Sequence, residues 1–133
     1  MPDTAGYVLI GAVAAIVTFV STPVVIRLAN RLGWIVEPDE RRVHTRPTPD
    51  VGGIAMFIGF VVALGLAWQM DRFSFVFDNN SEPLGVLLAA TVIFATGLFD
   101  DVREMSGPGK VTGGVIAALV LVWFGVTMFY FRV

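Results

Sequence analysis

The 133-residue sequence predicts an all-α, polytopic integral membrane protein with four transmembrane helices. Three observations carry that expectation. Apolar residues make up 56% of the chain and mean hydropathy is +0.77, more than an ordinary soluble domain shows. The apolar residues are gathered into four runs, Tyr7 to Leu28, Gly52 to Met70, Leu84 to Phe99 and Val111 to Phe131. The runs carry no Asp, Glu, Lys or Arg apart from Arg27 near the end of the first, so the little polar chain left over is too short to build a soluble surface.

At 1.5 Å rise per residue, a hydrocarbon core of about 30 Å takes about 20 residues of helix. The first and fourth runs span it comfortably, the second just does, and the third is short. No Lys or Arg precedes the first run, which also exceeds a signal-peptide apolar core, so this helix is expected to stay in the protein. Pro23 is expected to kink it. Gly59 and Gly65 thin the second helix and predict close helix packing.

Composition also excludes function classes. The chain has no cysteine, which removes disulfide frameworks and thiolate zinc sites, and His44 is its one imidazole. A net charge of -2 with a pI near 5.2 argues against nucleic acid as a partner. The basic residues are local instead. Arg31, Arg41, Arg42 and Arg46 lie in the segment 29–51 with Arg27 at its edge, whereas the segment 71–83 has Arg72 against Asp71, Asp78 and Glu82. Because arginine-rich loops stay cytoplasmic, the segments 29–51 and 100–110 are expected inside, and both termini and 71–83 outside. Trp34, Trp68, Tyr130 and Phe131, near run ends, suit the headgroup layer.

Two segments on the expected cytoplasmic face carry chemistry. In Gly97-Leu98-Phe99-Asp100-Asp101-Val102-Arg103-Glu104, adjacent carboxylates end an apolar helix. A helix C-terminus is partly negative and the two anions repel each other, so their coexistence calls for a cation: a divalent ion, Arg103 or Lys110. Hard oxygen ligands of this kind suit magnesium, which takes one or two carboxylates together with substrate phosphates and water. The other reading is a solvated helix end. The segment from Glu37 to Gly53 joins Arg41, Arg42 and His44, which offer planar forks and a titratable donor for phosphates, to Pro47, Pro49 and the Gly52-Gly53 opening of the next helix, where exposed amides favour an anion. The competing reading is a basic anchor whose prolines stop a helix.

Together these motifs resemble the polyprenyl-phosphate N-acetylhexosamine-1-phosphate transferases, the family of phospho-N-acetylmuramoyl-pentapeptide-transferase and the N-acetylglucosamine-1-phosphate transferases. The matching residues are Glu37-Pro38, Arg41-Arg42, His44 and Pro49 to Gly53 in one segment, and Gly97, Asp100, Asp101 and Lys110 in the other. The Arg-Arg-Val-His run is closer to the subgroup that uses UDP-N-acetylglucosamine, with a muramoyl-pentapeptide donor as the alternative. Glu37 stands where many relatives have Asp, and Gly113-Gly114 where a glutamine is often near.

The resemblance implies transfer of a sugar-1-phosphate from a UDP-sugar to polyprenyl phosphate at the cytoplasmic membrane, as the first membrane step of cell-wall or surface-polysaccharide synthesis. It implies Mg2+ as cofactor, Asp100 and Asp101 as catalytic and metal-binding residues, and Arg41, Arg42, His44 and Lys110 as substrate contacts. Polyprenyl phosphate, the UDP-sugar and the membrane are the implied partners, and a homodimer is left open. Family members have about ten or eleven helices and later acidic and histidine-rich loops, so residues 1–133 are expected to be the N-terminal part of one membrane transferase domain, inactive alone. Two rivals stand beside this reading. A small non-enzymatic membrane module would leave the Asp pair dispensable, and an ion pathway would put ionisable groups inside the runs, which have none apart from Arg27 near an end.

Overall fold

The computed structural model describes residues 4–34, 52–78 and 80–127, and these are helical with short connections and no strand. Helix α1 spans Thr4–Leu32, α2 Gly53–Gln69, α3 Ser74–Phe77, α4 Glu82–Arg103 and α5 Gly107–Trp123, with a 3-10 turn at Asp71–Phe73 between α2 and α3. Among the described residues, α1 and α4 are long and apolar enough to cross a membrane. The α2 helix and the Asp71–Phe77 segment meet at a 91° bend and make a third span only if taken together, and α5 is a shorter apolar helix of 17 residues. The described residues therefore support a membrane protein with two or three candidate spans by length and composition, and each of the four predicted runs contains a helix.

Helix ends depart from the apolar runs in ways the local sequence explains. The third run is part of a 22-residue helix, because Ser81-Glu82-Pro83 starts α4 early and Asp100 to Arg103 continue it beyond the last apolar residue. Proline is tolerated in a first turn, where its missing N–H has no partner to lose. The same logic starts α5 at Gly107 rather than Val111: Ser106 is extended and Pro108 sits in the first turn. The expected loop 100–110 thus shrinks to Glu104, Met105 and Ser106. At its far end α5 stops at Trp123, because Gly125 adopts φ +85° while its N–H bonds Val122 and the Val126 N–H reaches back to the Leu121 carbonyl at 2.9 Å. That left-handed cap closes the helix before the predicted end, and 128–133 lie outside the described residues. Gly33, at φ +73°, ends α1 the same way, with Trp34 N–H bonding the Ala29 carbonyl. The helix α1 runs through Pro23 unbroken.

The packing inverts that of a soluble protein. Buried positions on α2 are Ala55, Gly59, Ala63 and Ala67, one small residue per turn, and this stripe lies against α1. No charged or polar residue is buried among those described, while Phe19, Met56 and Trp123 face outward, the last 87% exposed. Small residues let helix backbones approach closely where lipid, not water, surrounds them. A methyl group at Gly59 would strike Thr18 and come within 2.7 Å of the Ala14 carbonyl oxygen, and one at Gly113 would strike Thr96 on α4.

One end of the bundle gathers the chain segments of interest. Val25 and Ala29 of α1 pack with Ala55 of α2, and Trp34, Ile54 and Leu98 close over them. Phe57 of α2 stacks on Phe94 of α4 with centroids 4.1 Å apart. The opposite end holds the bent segment, where Phe73 meets Tyr7 edge-on and Phe77 stacks on Trp68.

Candidate functional site

The site is built where the C-terminal turn of α4 meets the N-terminal turns of α5 and α2. Successive residues on a helix point about 100° apart, so Asp100 and Asp101 serve different neighbours. Asp100 turns toward α5. Its Oδ1 accepts the Met105 N–H at 2.7 Å and its Oδ2 lies 2.9 Å from Lys110 Nζ. The Asp100 side chain is 27% exposed and that of Lys110 53%. Both contacts favour the carboxylate over the acid, since each places positive charge or an N–H on an oxygen.

The corner that brings these groups together is tight. The Glu104 N–H closes the last turn of α4 on the Asp100 carbonyl at 2.9 Å, and Glu104 itself takes φ +41°, a conformation that side-chain-bearing residues seldom adopt. Ser106 then starts α5, where the Lys110 N–H returns to the Ser106 carbonyl. Gly109 leaves room for Met105, whose Cε would be 3.0 Å from a side chain there.

Asp101 lies on the other flank. With Gly53, Ile54, Phe94, Gly97 and Leu98 it lines a small cavity of about 180 Å³ between the start of α2 and the end of α4. The first turn of α2 exposes backbone N–H groups there, at the positive end of the helix. Because Trp34 and Ile54 pack beside Leu98, the described residues on both sides of 35–51 stand at the end of the bundle that bears the two aspartates. Arg41, Arg42 and His44, with Glu37-Pro38 and Pro49, lie outside the described residues.

Among the described residues no group of three or more His, Asp or Glu is gathered around one point. Two carboxylates of hard oxygen suit magnesium only where substrate phosphates and water complete its shell, and each Asp100 oxygen retains a second lone pair beside the hydrogen bond it accepts. Asp100 faces α5 and Asp101 the cavity beside α2, so the described residues form no closed protein cage, and a magnesium ion here would need substrate phosphates and water to complete its shell.

The motif spacing marks Lys110 as a candidate cation for the aspartates, and the Ser106-Gly107-Pro108 start signal is what puts it in a helix and in reach of Asp100.

With this geometry in place, comparison with known proteins shows the class: transferases named for polyprenyl phosphates and N-acetylated sugars are homologous to this chain over most of its length. The decaprenyl-phosphate N-acetylglucosaminephosphotransferase of Mycobacterium tuberculosis (strain H37Rv) is 43% identical over 118 residues, which are 89% of this chain and 29% of that protein. The undecaprenyl-phosphate alpha-N-acetylglucosaminyl 1-phosphate transferase of Thermotoga maritima is 32% identical over 110 residues, 83% of this chain and 31% of the relative. The phospho-N-acetylmuramoyl-pentapeptide-transferase of Mycobacteroides abscessus is 29% identical over 143 aligned positions, covering 94% and 37%. The resemblance drawn from the two motif segments is thereby borne out, and the chain spans about a third of the length of the relatives it matches. No family model and no solved structure matches it.

Proposed function

We propose that this chain forms the N-terminal part of a membrane transferase that moves N-acetylglucosamine-1-phosphate from UDP-N-acetylglucosamine to a polyprenyl phosphate, at the cytoplasmic face of the cell membrane. The observation that carries the reading is the meeting, at one end of the bundle, of an acidic helix end, a helix-bound lysine and the flanks of the arginine-histidine segment, in a chain homologous to transferases named for that chemistry. In this reading four runs cross the membrane within a protein of about ten or eleven helices, with the N-terminus outside.

In the reaction a phosphate oxygen of the lipid attacks the β-phosphorus of the UDP-sugar. The bond from that phosphorus to the bridging oxygen breaks, and UMP leaves with the oxygen. Such a step needs positioning and charge neutralisation more than covalent help. Magnesium, when bound, neutralises charge on the pyrophosphate. Asp100 and Asp101 hold the anionic end of the site, one bearing on the cation and the other orienting the lipid phosphate or taking its proton. Arg41, Arg42 and His44 bind phosphate oxygens and the nucleotide, and the isoprenoid tail lies against the apolar helices.

The test is an assay of the longer protein carrying this sequence, in detergent or proteoliposomes, with labelled UDP-N-acetylglucosamine and polyprenyl phosphate. Lipid-linked sugar with UMP as the co-product is expected. Release of UDP would mean transfer of the sugar without its phosphate and would overturn the reading, as would no product. Residues 1–133 alone are expected to make none.

A further inference from the structure

Two of the charges at the α4–α5 corner are in the wrong place for their own helix, whereas Arg103, in the last turn of α4, suits its own. Asp100 puts an anion at the negative end of α4, and Lys110 puts a cation in the first turn of α5, at its positive end. Neither of these two charges helps its own helix, and the two meet at 2.9 Å across a corner that also spends the Met105 N–H on the same carboxylate. A local rule broken twice, with the two breaks matched to each other, marks a site rather than a surface preference.

From this we infer that Lys110 is a positioning residue: it acts through Asp100, fixing the direction of that carboxylate against α5, rather than by touching the nucleotide. The inference rests on the transferase reading and refines the substrate contact that sequence similarity assigns to Lys110. Oδ2 is held by the ammonium and Oδ1 by the Met105 amide, so the carboxylate plane is set from both sides. The remaining lone pairs of the two oxygens then point in fixed directions toward whatever cation or phosphate O–H the site receives. A side chain held in this way has little reorganisation left to do when substrate arrives.

The experiment is a double-mutant cycle in the longer enzyme, with Lys110→Met, Lys110→Arg, Asp100→Asn and the double variant. Lys110→Met should lower kcat by about ten-fold or more while KM for the UDP-sugar stays within about two-fold, the pattern of lost transition-state positioning without lost substrate binding. Lys110→Arg should recover much of kcat. The double variant should fall no further than Asp100→Asn alone. A rise in KM for the nucleotide, or losses in the single variants that multiply in the double, would overturn the proposal and return Lys110 to a direct contact. Hydrogen exchange of the peptide holding Glu104 to Ser106, measured without substrate, reads the clamp independently of turnover. It should quicken in Lys110→Met, and unchanged exchange there would equally sink the idea. A parent enzyme that makes no lipid-linked product sinks the transferase reading instead, and the exchange measurement still decides whether the clamp exists.

Discussion

Asp100 and Asp101 are chemically identical neighbours, and the structure separates them. Asp100 is tied to Lys110 and the Met105 amide, and Asp101 lines the cavity beside Gly53 and Ile54. Replacing either by Asn in the longer enzyme should cut turnover by about 10² or more, the scale of losing a positioned acid, base or electrostatic group. Product formation across a magnesium titration checks this, and near-parent turnover in both variants would reduce the pair to a solvated helix end. Stability separates the two expectations for Asp100. The helix-dipole argument alone predicts that Asn at this position raises the thermal midpoint in detergent. With the ion pair in view the midpoint should fall, because Asn strands the Lys110 cation at the positive end of α5. The need for a nearby cation was legible from Asp100-Asp101. The choice among a metal ion, Arg103 and Lys110 depended on where α5 begins.

Apolar runs marked where helices lie but not where they end. Runs are bounded by charged and polar residues, whereas helices stop where backbone hydrogen bonding does. That is why Asp100 to Arg103 are helical despite their charge, and why α5 starts at Gly107 and ends at Trp123, ahead of the cap at Gly125. The close packing read from Gly59 is present, against Thr18 and the Ala14 carbonyl on α1, but Gly65 has nothing near it. Sequence spacing cannot tell a glycine that faces a neighbour from one that faces lipid. The contrast gives a prediction at the scale of the helix pair. Gly59→Leu should cost about 1–3 kcal/mol, as overpacking does where the obstacle is backbone, whereas Gly65→Ala should leave stability level or raise it by about 0.5–1 kcal/mol through helix propensity. Thermal midpoints of the two variants in the same detergent check both, and equal losses would show that the α1–α2 seam is not where the small residues place it.

At the scale of the whole molecule, the proposed topology sets Asp78 outside and Ser106 inside, because the arginines cluster in 29–51 and not in 71–83. Residues 1–133 contain no cysteine, so Asp78→Cys and Ser106→Cys each add the one thiol of this segment, to be labelled in a protein whose other cysteines, if present, are replaced. An impermeant maleimide added to sealed cells should label the first and spare the second until the membrane is opened. Labelling of both from one side would overturn the orientation. An even count of crossings between the acidic and basic segments predicts that they share an end, and the clustering of Trp34, Ile54 and Leu98 puts the described residues that flank 35–51 at the end that bears the two aspartates. The side on which that end lies is expected from charge alone, and the labelling decides it.

The 91° turn after Gln69 has a consequence for the lipid. At 1.5 Å per residue the 17 residues of α2 and the 17 of α5 are each about 26 Å long, against about 43 Å for the 29 of α1. With these helices crossing as proposed, one side of the bundle is shorter than a typical 30 Å hydrocarbon layer, and the bend turns Asp71–Phe77 away from the α2 axis instead of extending it. A mismatch of that kind is relieved by thinning the bilayer beside the short helices or by tilting the long one, and both are expected here. The protein should therefore be most stable in short-chain lipids. Its thermal midpoint in bilayers of graded acyl length should peak below the thickness of a sterol-rich membrane and fall as the chains lengthen, and a midpoint indifferent to thickness would show that α2 and α5 do not set the hydrophobic span.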